Sequence, residues 1–241
     1  MSDTRDMSGI RVVVVGGGSR IGRALALEAS ERGASVVVAG RSEQALREVA
    51  ASSAGRAEWL PIDLSIPETI ERFAHEVSTF DHLVSTVSMH AVGALREISD
   101  SQIQRAIDAK ILGPLRLARS LSDQVSSGGS FTFFSGQAAW RPTRGAVVTA
   151  TVNGALAFLV QALAVELAPI RVNAIAPGMV DSGALDSSGG AKAQLIAEAS
   201  ARNPVGRVGT VHDVVDATLM TMMNGYMTGT VLRVDGGGPL A

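Results

Sequence analysis

Apolar and polar positions along the chain alternate between two periods. Arg11–Val15 carries four consecutive valines, too few for a helix and suited to a strand buried on both faces. Gly16, Gly17 and Gly18 break that run, and Ile21, Ala24 and Leu25 then recur at helical spacing. The same exchange repeats to the C-terminus. It predicts strands over Ser35–Ala39, Trp59–Ile62, His82–Thr86, Ser130–Ser135, Arg171–Pro177 and the closing TVLRVDGGG. Helices are predicted over Ser42–Ala51, Pro67–Thr79, Asp100–Leu121 and Gly145–Leu167, and from Thr210 onward. Thr210 and Asp213 are spaced as a capping box. Gly145–Leu167 is apolar around most of its circumference, which predicts cover on two sides. Repeated strand–helix units imply an α/β fold: one doubly wound, seven-stranded parallel sheet with helices on both faces. Residues 1–9 read as a flexible polar tail. Residues 181–202, opening with DSGALDSSGG, read as a loop or lid beside a substrate.

Composition narrows the function classes. A length of 241 residues with 46% hydrophobic content supports one large domain and a sizeable core. The net charge is −2 and no Lys/Arg-rich run occurs, which argues against nucleic acid or an anionic membrane as partner. There is no cysteine, hence no disulfide, thiolate chemistry or zinc–thiolate site. The four histidines lack metal-ligand spacing, so no metal is expected. A short polar N-terminus without a signal-peptide core predicts a cytoplasmic protein.

The stretch RVVVVGGGSRIGRALA (Arg11–Ala26) has the form of a phosphate site. A strand leads through glycines lacking Cβ into a helix whose free N–H groups and dipole favour an anion. Gly16, Gly18, Ser19, Arg20, Ile21 and Gly22 are the candidate contacts. Further along stand ELAPIRVNAIAPGMVDS (Glu166–Ser182), NPVGRVGTVHDVVDA (Asn203–Ala217) and GYMTGTVLRVDGG (Gly225–Gly237). With these, the chain resembles a short-chain dehydrogenase/reductase over nearly its whole length. The resemblance implies a Rossmann domain with a dinucleotide cofactor. It also implies a homodimer or homotetramer in which the Gly145–Leu167 helix pairs with its copy.

NAD-specific Rossmann sites place an acid at the end of the second strand, against the ribose 2′-hydroxyl. Here that place is Gly40, followed by Arg41 and Ser42. Arg41 offers a 2′-phosphate a bidentate fork, so NADP(H) is expected over NAD(H). Ser42 also reads as a simple helix cap. Val15 and Arg20 depart from the family's T-G-x-x-x-G-x-G at its threonine and second glycine. Asp63 and Leu64 match the pair beside the adenine, and Pro177, Gly178 and Ser182 match the turn that meets the nicotinamide carboxamide.

The catalytic positions differ from the family's. Ser135 stands at its serine, but thirteen residues on, the tyrosine place falls on Val148 and the lysine place on Val152. The only tyrosine is Tyr226 and the only lysines are Lys110 and Lys192, so no alignment restores Tyr-x-x-x-Lys. Ser85-Thr86-Val87-Ser88 replaces Asn-Asn-Ala-Gly, and Lys110 takes the place of an asparagine. Ser135 and Lys110 are the catalytic candidates, with Lys110 expected to reach the space beside Val152. His90, Trp140, Val148, Arg141 and Arg144 are candidates for the substrate pocket. Two readings stand. One is an NADP(H)-dependent oxidoreductase acting on a small carbonyl, imine or enone through a non-standard proton relay. The other is a catalytically silent protein that binds NADP(H) or a metabolite as a sensor, scaffold or partner subunit.

Overall fold

The computed structural model describes residues 6–89, 91–183, 186 and 190–241. Seven parallel strands form the main sheet: β1 (Arg11–Val15), β2 (Ser35–Gly40), β3 (Ala57–Pro61), β4 (Phe80–Ser85), β5 (Val125–Phe134), β6 (Arg171–Pro177) and β9 (Val231–Val234). Their order is β3-β2-β1-β4-β5-β6-β9. Two-residue strands β7 (Val180–Asp181) and β8 (Gly209–Thr210) pair separately beyond the end of β6.

The valines of β1 show why the sheet is covered twice. Val13 and Val15 enter a core with Phe73, Phe80, Phe131, Leu117 and Leu156, beneath α3 (Pro67–Glu76), α5 (Gly113–Leu121) and α6 (Val147–Glu166). Val12 and Val14 point the other way, toward Leu25, Ala29, Leu46, Val214 and Leu219. Those residues sit beneath α1 (Arg20–Glu31), α2 (Glu43–Ala51) and α8 (Val211–Met223). The period-2 alternation of a strand supplies both layers from one run of valines. From β1 the chain winds outward through β2 and β3, and from β4 it winds the opposite way. The crevice at this reversal, at the C-terminal ends of the strands, is where such sheets take ligands.

Three expectations change. The Asp100–Leu121 helix is not continuous: α4 (Asp100–Ile107) passes into a wide π-helical turn, Asp108–Leu112, before α5 resumes. Pro114 has no N–H to give the Lys110 carbonyl, and the Gly113 N–H donates instead to Asp108 O, five residues back. The tail ends sooner than predicted, because Met7 is fully buried and its N–H donates to Arg32 O at 2.8 Å. The stretch 181–202 is not all loop, since Ala191–Arg202 forms α7.

Candidate functional site

A cleft of about 580 Å³ runs along the C-terminal ends of the strands. Its floor is the glycine turn. Gly16 has φ +85°, and a Cβ there would lie 2.6 Å from Thr86 Oγ1. A Cβ on Gly22 would lie 2.2 Å from Gly16 O. Glycine at these two positions lets β1, α1 and the end of β4 close up and leaves bare backbone facing the cleft. Ser19 caps α1 without a side-chain bond, and no acid occupies the first turn. The free N–H groups and the positive end of the helix dipole therefore open into the cleft.

The predicted cofactor residues Gly16, Gly18, Ser19, Arg20, Ile21, Gly22, Arg41, Ser42, Asp63, Leu64, Pro177, Gly178 and Ser182 all line this one cleft. Arg41 is exposed at the rim and makes no ion pair among the described residues. Ser42 does cap α2, accepting from Ala45 N at 3.4 Å. Asp63 accepts from Ser65 N and Ser65 Oγ, at 2.9 and 2.7 Å, so its carboxylate also closes a local turn. Arg20 adopts φ +51°, the left-handed region that a glycine would occupy without strain. A Cβ on Gly178 would lie 2.8 Å from both Asp235 Cα and Gln137 Oε1, so only glycine fits that turn.

The inner end of the cleft holds the candidate chemistry. The π turn aims Lys110 at the end of β5, where Nζ donates to Phe134 O at 2.5 Å and to Ser135 O at 3.4 Å. Burial, which strips the ammonium of its hydration, pushes its pKa down from 10.5 to about 7. The Ser135 hydroxyl donates to the main-chain Asn153 O at 2.9 Å.

The α6 residue that reaches the cleft is Asn153. Val152 instead packs with Ala91 and Ala106, and Val148 lies against that cluster. One turn before Asn153, Thr149 is buried, accepting from Ala91 N at 3.2 Å and donating to Ala91 O at 3.1 Å. The expectation that Val148 and Val152 face the reacting end is corrected by one residue. The inward stripe carries Thr149 and Asn153, four apart. Asn153 Oδ1 is buried without a hydrogen-bond partner. Thr86, from the run that replaces Asn-Asn-Ala-Gly, also lines the cleft, as does Arg105, to which the sequence pattern assigns no role.

The remaining pocket candidates do not gather here. Trp140 lines a separate hollow of about 410 Å³ with Ala157, Phe158 and Gly229. Arg141 donates to Gly238 O at 2.5 Å, and Arg144 is exposed and outside the cleft wall. His90 lies outside the described residues.

Comparison with known proteins agrees with this geometry. Residues 16–238 match the family model described as enoyl-(acyl carrier protein) reductase. The short-chain dehydrogenase/reductase ATR9 of Stachybotrys chlorohalonatus is 31% identical, over 95% of this chain and 96% of its own. L-xylulose reductase of Mus musculus is 31% identical over 96% and 97%. A small-chain dehydrogenase solved in complex with NADPH superposes with a TM-score of 0.84 at 31% identity, covering 96% of this chain and 99% of the other. The MalC reductase/Diels-Alderase of Malbranchea aurantiaca gives a TM-score of 0.92 at 26% identity, covering 99% and 100%. With a family match over most of its length and relatives of this identity, the chain belongs to the short-chain dehydrogenase/reductase family of oxidoreductases.

Proposed function

We propose that the protein is an NADP(H)-dependent reductase of a polarised double bond in a small molecule, C=O, C=N or C=C. The observation that carries this reading is the single cleft joining Arg41, the bare glycine turn and the uncapped α1 terminus to Lys110 and Ser135. Its volume of about 580 Å³ and its donor set fit a dinucleotide. The α1 N–H groups and Arg20 would hold the pyrophosphate, Arg41 and Ser42 a 2′-phosphate, Leu64 one face of the adenine, and the Pro177–Gly178 turn the carboxamide. When bound, the cofactor supplies a hydride. Lys110 is the buried titratable group at the reacting end, and with a pKa near neutrality it can give or take a proton at physiological pH. The tyrosine and lysine of the family's usual pair fall on Thr149 and Asn153, neither of which titrates. The outer face of α6, with Phe158 and Val165 about three-quarters exposed or more, would be covered by a second copy in a homodimer or homotetramer.

Calorimetric titration with NADPH and NADH tests the cofactor. The Arg41 fork leads us to expect at least about tenfold tighter binding of NADPH, lost in Arg41→Ala. Equal wild-type affinities would overturn the assignment. A second reading, a silent NADP(H)- or metabolite-binding protein, is favoured by the inward turn of the Ser135 and Thr149 hydroxyls onto main-chain oxygens. Bound NADPH that no carbonyl, imine or enone oxidises in stopped flow would establish it.

A further inference from the structure

The chain has two lysines, and the fold treats them in opposite ways. Lys192, on α7, sits between two carboxylates, with Nζ 2.9 Å from Asp181 Oδ1 and 2.6 Å from Asp186 Oδ1. Those bonds, Asp186 first, hold its pKa above the usual lysine value, so its nitrogen keeps the proton. Lys110 is 3% exposed, lines the cleft of about 580 Å³ and forms no salt bridge among the described residues. Asp108, two residues away, accepts instead from Gln104 Nε2 at 3.2 Å. Main-chain oxygens alone hold the Lys110 nitrogen, Phe134 O at 2.5 Å and Ser135 O at 3.4 Å. A neutral amine has two N–H groups and one lone pair. The two carbonyl oxygens accept both N–H groups, and neither can donate to the lone pair, which is left for another partner. Burial without a carboxylate makes that neutral form available near pH 7. A desolvated amine at the wall of a cavity is what a nucleophilic lysine requires.

We propose that Lys110 is a capture site for small aldehydes, held covalently through Nζ as a protonated Schiff base inside the cleft. In the balanced step, the Nζ lone pair forms a bond to the carbonyl carbon and the C=O π pair moves to oxygen. The nitrogen loses one proton and the oxygen gains one, giving a neutral carbinolamine. A second proton, from solvent, lets the oxygen leave as water while the nitrogen pair forms the C=N bond. The product keeps the positive charge and one N–H, which one of the two main-chain oxygens can still accept. An aldehyde carbon bears a hydrogen, so it is the least crowded carbonyl for a nitrogen met at the wall of a cleft. The capture needs no dinucleotide and therefore goes beyond the reductase reading.

The test treats the intact chain, free of dinucleotide, with propanal and sodium cyanoborohydride at neutral pH. The reagent reduces a protonated Schiff base to a stable propylamine, and peptide mass spectrometry reads each lysine separately. Lys110 is expected to be propylated at least about tenfold faster than Lys192, because so little of Lys192 is neutral at that pH. In the urea-unfolded chain the two lysines are expected to react at the same rate, since the difference belongs to the fold. Lys192 labelled as fast as Lys110 in the folded protein would overturn the proposal. So would a preference for Lys110 that survives unfolding.

Discussion

At the scale of single residues, the site combines ordinary parts with two costly ones. Lys110 is buried and forms no salt bridge among the described residues, and Arg20 holds a left-handed φ of +51°. An L-residue in that region pays about 1–2 kcal/mol. Strain of this kind persists where the side chain has a use. Arg20 begins α1 at the edge of the cleft, where its charge adds to the helix dipole. Arg20→Gly separates backbone from charge. Glycine removes the strain but loses about 0.5–1 kcal/mol through the freedom of its unfolded chain. The expected outcome of urea unfolding is therefore a protein unchanged or stabilised by up to about 1 kcal/mol. Calorimetry should show NADPH binding several-fold weaker. A variant that binds NADPH as tightly as wild type would leave Arg20 without a role toward phosphate.

At the scale of elements, the π turn between α4 and α5 decides where Lys110 points, and Gly113 makes the turn possible. A Cβ on Gly113 would lie 2.8 Å from Asp108 O and 3.0 Å from Leu64 Cδ1, with backbone on one side and the cleft-lining Leu64 on the other. Gly113→Ala is expected to cost about 1–3 kcal/mol in chemical unfolding and to weaken NADPH binding by displacing Leu64. Gly154→Ala is the control. It sits mid-α6 with nothing within 4 Å of an added methyl, and should gain up to about 1 kcal/mol from helix propensity. Strands, most helices and the glycine turn after β1 were legible in the sequence because period-2 and period-3.6 patterns and glycine punctuation are local signals. The π turn was not, because one residue of widening barely disturbs a helical pattern. The facing of α6 differs by one position from the sequence expectation for a related reason. A helix apolar all round gives periodicity nothing to phase on, and a step of one residue turns the face by about 100°. The usable signal was Asn153, the one amide in the buried part of that apolar stretch.

At the scale of the whole molecule, a polar row near the N-terminal ends of the strands ties the sheet to α8. His82, Ser130 and Arg171 are register partners on β4, β5 and β6. Arg171 donates to Thr221 O at 2.7 Å and Met222 O at 2.6 Å, closing the C-terminal end of α8. His82 Nδ1 lies 2.9 Å from Ser130 Oγ. Burial first, and then the Arg171 charge, push the His82 pKa down from 6.5 to about 4, while Asp81 opposes them. The folded protein therefore keeps His82 neutral where the unfolded chain would protonate it. Between pH 6.5 and 4 the unfolded state binds more protons, so stability falls as pH falls through that window. One such histidine amounts to about 3 kcal/mol at the low end. The Asp213 carboxylate, held below its usual range by Arg207 and then by Thr210, titrates further down and does not contribute there. Urea unfolding at a series of pH values should show this slope in wild type. His82→Asn keeps an amide near the Nδ1 position and should flatten the slope by close to one proton, whatever its stability at pH 7. An unchanged slope in the variant would mean that another group carries the acid sensitivity of the fold.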